Sequence, residues 1–238
     1  KPKSLMSRYG KSIAAVAALF LIGFVLFKTL APIKAINSFK TKTANTENIV
    51  LPDESLVSLN ANSELTYNAE KWSDVREINL TGEAYFEVEK GSKFKVSTTY
   101  ADVEVLGTIF NVKSRDYYFE VTCYEGSVGV QYGEKPYVLK PNDKLILENE
   151  EITLHKTNAK APDWKDAKSV MKSQTLENVL LEFKNYYDVE FVTSGIDMSR
   201  KYTGSFTHND IEIALKSITL PLGLTYKIDD KKIFLSKK

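Results

Sequence analysis

The sequence predicts an all-β region followed by a small α+β domain, both behind a single membrane-spanning helix. Three observations carry this. Residues 12–27 contain no charged side chain. From Ile49 to Leu154 the apolar residues recur with a period of two. Beyond a polar linker at Thr157–Pro162 the period becomes helical and the pattern repeats itself.

The uncharged run from Ser12 to Phe27 is bracketed by Lys11 and Lys28. A spanning helix needs roughly 17–25 mostly apolar residues. With Lys28 snorkelling to the interface, the run extends to Ala31 before Pro32 stops it. The predicted span is therefore 12–31, with Ile13, Val16, Leu19, Phe20, Leu21, Ile22, Phe24, Val25, Leu26 and Phe27 as its apolar surface. A cleaved signal peptide is the alternative. The small-residue cleavage site that it requires does not follow cleanly, since Phe27-Lys28-Thr29-Leu30-Ala31-Pro32 is a poor match. Residues 1–11 form a stub ahead of the span, and residues before Lys1 are expected because the chain does not begin with Met.

Charge is distributed unevenly along the 238 residues. All eight charges in residues 1–42 are positive, which suits contact with anionic headgroups. The remaining 24 basic residues face 31 acids, so residues 43–238 carry about −7. That sign argues against nucleic-acid binding. Basic residues flank the apolar run equally, so the positive-inside rule gives no orientation. Cys123 is the single cysteine and lies in an alternating apolar pattern, which predicts a small buried hydrophobe.

Residues 32–48 are polar, rich in Thr and Asn, and read as a linker. Alternation then places Val57 and Leu59, Leu65 and Tyr67, Ile78 and Leu80, and Ala84, Phe86 and Val88 on strands. The pattern continues through Phe94 and Val96, Val103 and Val105, Phe110 and Val112, and Phe119, Val121 and Cys123. It ends with Val128 and Val130, Leu145 and Leu147, and Ile152 and Leu154. Turn signals such as Lys90-Gly91-Ser92 and Glu125-Gly126 separate the segments. About ten short strands over 49–156 predict a sandwich, a barrel or a β-solenoid, and periodicity does not choose among them.

After a second linker at 157–165, residues 166–238 combine helix and strand. Leu176, Val179, Leu180, Phe183 and Tyr187 share one helical face, with Thr175 as N-cap. Val189–Val192 and Tyr202–Phe206 read as strands. Asn209 with Glu212 resembles a capping box ahead of Ile211, Ala214, Leu215 and Ile218. Leu224–Ile228 and Lys232–Ser236 form a hairpin through Asp229-Asp230-Lys231. The segment at Leu176–Leu180 aligns with Ile211–Leu215, and Val189–Phe191 aligns with Leu224–Tyr226, both at an offset of 35 residues. Two βαβ-like halves sharing one core follow.

Little in the chain suggests chemistry. His155 and His208 are the only histidines and neither has metal-ligand spacing, so no metal or cofactor is expected. No nucleophile elbow or phosphate-cradling loop occurs. Glu83, Glu87 and Glu89 line one strand face; a glycosidase would need two of them to converge, whereas a solvated face needs nothing further. His208 is expected to decorate a helix terminus. Tyr117-Tyr118-Phe119 and Tyr186-Tyr187 are expected each to send one ring into a core. The residues therefore describe a non-catalytic, tethered binding or signalling module.

Several motifs carry a resemblance. Gly82-Glu-Ala-Tyr-Phe-Glu-Val88, Phe94-Lys-Val-Ser-Thr98, Val103-Glu-Val-Leu-Gly-Thr-Ile-Phe-Asn-Val112 and Gly126-Ser-Val-Gly-Val130 closely resemble the periplasmic β domain of FecR-family anti-sigma factors. Leu51–Asn60 fits the start of that domain. The tail from Trp164 resembles the C-terminal domain of Bacteroidetes members, which is similar to the secretin/TonB short N-terminal (STN) module. Thr175–Leu180, Tyr202–Phe206 and Leu222–Tyr226 carry that likeness.

The resemblance implies an inner-membrane protein with its N-terminus in the cytoplasm and residues from about 32 onward in the periplasm. It implies a cytoplasmic segment that holds an extracytoplasmic-function sigma factor. It also implies a signal received from the N-terminal signalling domain of an outer-membrane TonB-dependent transducer, and release by membrane proteases. Eleven residues ahead of the span are too few for a sigma-binding domain, so that part is expected to be absent here or lost. Sheet edges in the STN-like domain offer strand addition. The expected partner-facing residues are Tyr202, Thr203, Gly204, Ser205 and Phe206, with Leu224, Tyr226 and Ile228; the alternative for Phe206 and Tyr226 is core. A membrane-tethered carbohydrate- or peptidoglycan-binding module is the alternative function.

Overall fold

A strand of twelve residues, Arg76–Glu87, belongs to two β-layers at once and organises the larger lobe. The computed structural model describes residues 19–24, 36–148 and 150–238, and within it residues 36–238 form one compact unit. Most of the anchor expected over 12–31 lies outside the described residues, Ile13, Val16, Val25, Leu26 and Phe27 included. Residues 19–24 are helical, with Leu19, Phe20, Leu21, Ile22 and Phe24 exposed. Among the described residues no helix is long and apolar enough to cross a membrane.

The larger lobe holds thirteen strands. They are β1 (Ile36–Lys40), β2 (Glu47–Val50), β3 (Leu56–Leu59), β4 (Glu64–Asn68), β5 (Arg76–Glu87), β6 (Phe94–Ser97) and β7 (Asp102–Val105). Then follow β8 (Ile109–Arg115), β9 (Tyr118–Glu125), β10 (Val128–Tyr132), β11 (Lys135–Leu139), β12 (Asp143–Glu148) and β13 (Glu151–Lys156). The first layer runs β1-β4-β5-β6-β7-β10-β11 and the second β2-β3-β5-β8-β9-β12-β13.

Residues 76–81 of β5 pair with β4 and β6, and residues 82–87 pair with β3 and β8. The change of layer falls at Gly82, whose φ is +99°. A Cβ there would stand 2.4 Å from Ser63 Oγ, so only glycine fits the corner. The bend returns the chain to its own start. Arg76, which opens β5, donates to the carbonyl of Glu89 just past its end at 3.1 Å. The short return explains how β6 can lie parallel to β5 without a long crossover.

Inward residues of both layers close over one core, so the lobe is a sandwich with a shared strand. Phe86 stacks on Phe110 at 4.9 Å and meets Phe94 of the other layer edge-on at 6.2 Å. Cys123 is buried in the same core, as its alternation implied. Three strands of the larger lobe, β1, β2 and β11, escaped the sequence pattern. The expected linker over 32–48 contains β1, which pairs with β4. Strand β11 carries Pro136, which an edge strand tolerates and an alternation search rejects.

A linker with a 3-10 turn at Asp163–Asp166 leads to the smaller lobe. It contains β14 (Lys168–Thr175), α1 (Leu176–Phe183), β15 (Glu190–Thr193), β16 (Lys201–Thr207), α2 (Ile211–Thr219), β17 (Leu224–Asp229) and β18 (Lys232–Lys237). Both halves run strand–helix–strand and share one core, as the repeat implied. Their first strands, β14 and β16, pair with each other, while β15 and β17 flank β18. Strand β14 was not evident from alternation because a bulge between Met171 and Gln174, with Ser173 at φ +52°, breaks its period. Thr175 caps α1 by accepting from the Asn178 amide at 3.2 Å. The cap of α2 is Asp210, not Asn209: its carboxylate accepts from the Ile213 amide at 2.9 Å.

Candidate functional site, the seam between the lobes

A buried polar cluster lies where the smaller lobe meets the outer face of the second layer. Alternation puts Glu83 of β5, Lys113 of β8 and Glu120 of β9 in one row across that face. Arg115 lies on the same side, two residues beyond Lys113. Such a row would ordinarily be solvated. Here the last turn of α1 covers it.

Glu182, 2% exposed, is the only charged residue that α1 buries. Its carboxylate accepts from Lys113 Nζ at 2.8 Å, from the Tyr117 hydroxyl at 2.7 Å and from Ser169 Oγ at 3.2 Å. Asn185 continues the turn. Its side-chain amide donates to the Tyr117 hydroxyl at 3.0 Å, and its carbonyl accepts from the Ala44 amide at 2.9 Å. The basic groups of the larger lobe thus approach the carbonyl end of α1, where a helix favours positive charge.

The larger lobe answers with the turn at residues 60–63. Arg115 donates to the carbonyls of Ala61 at 2.8 Å and Asn62 at 3.1 Å. This holds Ala61 within the apolar core of the smaller lobe. The Asn60 amide donates to the Tyr186 hydroxyl at 2.8 Å and to Glu83 at 3.0 Å, and Asn111 donates to Glu83 at 3.0 Å. The linker adds Trp164, whose indole donates to Asn111 at 3.3 Å, and Lys165, which sits 4.2 Å above the Tyr85 ring. His208 stacks on Tyr186 with centroids 3.4 Å apart and bonds Ser169 at 3.0 Å.

Two acids and two bases are therefore buried together, and burial acts on each. It lifts the Glu83 carboxyl above its ordinary value, with Lys113 opposing and Glu182 adding to the rise. Burial also works against the charge on Glu182, but Lys113 and Arg115 outweigh it and hold that carboxyl below the usual range. Lys113 is likewise penalised by burial and kept charged by Glu182 and Glu83. Burial beside Glu182 pushes the Tyr117 and Tyr186 hydroxyls far up. The cluster is nearly closed to solvent, with the Lys113 side chain keeping 13% exposure, and largely self-satisfied; among these side chains only Arg115 Nε is buried without a partner. It joins lobes rather than offering groups to a substrate.

The sequence-predicted residues are distributed differently. Glu83 is buried in the seam, which corrects the reading of a solvated row; Glu87 is half-buried and Glu89 exposed. His208 lies in the seam rather than at a helix terminus. Phe119 points into the sandwich core and Tyr186 into the seam. Tyr202, Phe206 and Leu224 are core residues of the smaller lobe. Thr203 and Ser205 are exposed on β16, Gly204 is half-buried, Tyr226 packs half-buried against the core, and Ile228 is 37% exposed. Strand β17 is an outer strand of its sheet, and β16 has β14 as its one neighbour. Among the described residues no group of His, Cys, Asp and Glu could hold a metal ion.

Comparison with known proteins follows the same two-lobe division. The family described as FecR protein matches residues 37–129, and the one described as FecR, C-terminal matches residues 168–235. The chain belongs to the FecR family. Two crystal structures of a Parabacteroides distasonis ATCC 8503 protein, described provisionally as an anti-sigma factor, are similar to this FecR-family chain. Both are 27% identical and cover 85% of this chain and 99% of that one, with TM-scores of 0.78 and 0.79. No curated protein matches the chain. In this FecR-family chain the first matched region covers the sandwich from β1 into β10 and the second covers the smaller lobe, and the seam joins the two lobes.

Proposed function

We propose that the chain is the envelope part of a sigma-factor regulator. In this reading it spans the inner membrane once, with its N-terminus in the cytoplasm and both lobes in the periplasm. It receives a signal from the N-terminal signalling domain of an outer-membrane TonB-dependent transducer and passes it to an extracytoplasmic-function sigma factor, with membrane proteases completing the release. The observation that carries the reading is the tandem match to both FecR regions, joined to 27% identity with a structure of the same architecture that is described provisionally as an anti-sigma factor.

Two features of the smaller lobe support it. Strands β15 and β17 are the outer strands of their sheet among the described residues, and an outer strand offers backbone groups to a partner strand. The exposed side of β16 presents Thr203 and Ser205 beside a core packed with Tyr202 and Phe206. The lobe is read as STN-like, and its proposed transducer-facing surface comprises β16 and β17.

The test is a calorimetric titration of the chain with the signalling domain of a transducer encoded beside it. Saturable binding is expected, weakened at least tenfold by Thr203→Glu with Ser205→Glu. Unchanged affinity would move the surface elsewhere. Absence of binding to any such domain, together with sigma-dependent transcription unaffected by deletion of the gene, would overturn the function.

A further inference from the structure

The seam is unusual in what holds it. Its direct contacts are hydrogen bonds, one buried charge cluster and an exposed ion pair from Lys201 to Glu148 at 3.4 Å, and a single apolar residue of the larger lobe, Ala61, enters the other lobe's core. Interfaces of this polarity between domains tend to permit relative motion. Buried ion pairs add little net stability, because the desolvation they require offsets their attraction. They do add strong dependence on both partners, since removing one leaves the other buried and uncompensated.

The charges divide unequally between the lobes. Glu83, Lys113 and Arg115 come from the sandwich, whereas Glu182 is the smaller lobe's sole charged residue in the cluster. Withdrawing Glu182 strips the Tyr117 hydroxyl of its 2.7 Å acceptor and Lys113 of its nearest carboxylate. The 3.8 Å contact from Lys113 to Glu83 is then its remaining pair in the cluster. The Asn185 and Tyr186 contacts sit on the same turn of chain, so they leave with it.

We propose that the seam is a charge-keyed latch, with Glu182 as the key that positions the smaller lobe on Lys113 and Arg115. The closed latch hides a basic, tyrosine-rimmed face on the sandwich, made by Lys113, Arg115 and Tyr117. It equally hides the last turn of α1. Opening exposes both faces together, because one turn carries every bond from α1. The latch is a property of the two lobes and stands independently of any sigma factor.

The test places nitroxide labels on the full chain at two exposed positions, Lys140→Cys in the sandwich and Lys227→Cys in the smaller lobe, and reads the distance between them by pulsed electron resonance. Cys123 is buried and stays unlabelled. The parent is expected to give one narrow distribution. Glu182→Gln and Lys113→Met should each broaden it towards longer distances, by leaving charge uncompensated. The double variant Lys113→Met with Glu182→Met should restore the narrow distribution, since neither partner remains charged. Single variants as narrow as the parent would overturn the proposal. So would a double variant as broad as the singles, which would mark the pair as ordinary packing.

Discussion

Arg76 Nη1 lies 2.7 Å from Asp53 Oδ2, with the two side chains only 6% and 16% exposed, and this pair ties the start of β5 to the turn before β3. The same guanidinium donates to the carbonyls of Glu89 and Ser92, so one side chain ties together two loops through three acceptors. Removing a partner from a buried pair costs roughly 3–5 kcal/mol, because the other is left unpaired. Arg76→Met is therefore expected to lower the urea midpoint sharply. Arg76→Lys should recover little, since an ammonium lacks the planar fork that reaches all three acceptors. Unfolding curves of the two variants check this; a lysine variant as stable as the parent would show that the fork is not needed.

Gly82 sets the corner that makes the sandwich. Alanine there would be held at φ +99°, with its Cβ 2.4 Å from Ser63 Oγ and 2.7 Å from Ser63 Cα. Such backbone strain costs about 1–3 kcal/mol before any clash is counted. The Glu83 amide would also lose its 2.9 Å bond to Ser63 Oγ as that side chain gives way. Gly82→Ala should lower the melting temperature by several degrees or abolish folding. Gly129→Ala is the control: its nearest atom is 3.5 Å away, so the change should be tolerated.

Alternation identified the inward positions of β3 to β10 and of β12, because a half-buried strand must alternate. It could not show that β5 serves two layers, since Gly82 keeps the period while turning the chain. The seam was legible least of all. Glu83, Lys113 and Glu182 look like ordinary surface charges when read locally, and they are brought together only by docking of segments far apart in sequence. The one local hint is Glu182, an acid set between Val179 and Phe183 on a face that is otherwise buried. The smaller lobe revealed its repeat and its β17–β18 hairpin, but not that β15 joins β18 or that β14 pairs with β16, because those partners lie far apart in sequence.

Cys123 should be chemically silent in the folded chain. It is buried in the sandwich core, and burial, with Asp143 adding, pushes its thiol up to about 11. The thiolate is the reactive species, so its population at neutral pH is very small. Iodoacetamide at pH 8 is expected to leave the native chain unmodified and to label it once in strong denaturant. Labelling of the native chain at the rate of an exposed thiol would show that β9 opens locally. Mass spectrometry reads the outcome directly.

His208 gives the seam an acid limit. Burial brings its pKa down to about 4 from an ordinary 6.5, with Glu182 of α1 opposing and Lys113 of β8 adding to the fall. Tyr186 covers one ring face, and Ser169 of β14 bonds the ring. Because the folded value lies below the unfolded one, the unfolded chain binds the extra proton between about 6.5 and 4. Stability should decline as pH falls through that window and stop declining on this account below it. Glu182, held below its usual value, extends the loss beneath about 4.5, where the unfolded carboxyl takes up a proton first. Glu83 acts in the opposite sense: its raised value contributes stability in acid that fades as pH rises past it. The urea midpoint measured from pH 7 to pH 4 should therefore fall for the parent chain and fall less for His208→Asn, which cannot protonate. Parallel pH profiles for the two would remove His208 as the cause and leave the carboxylates of the seam to account for any decline.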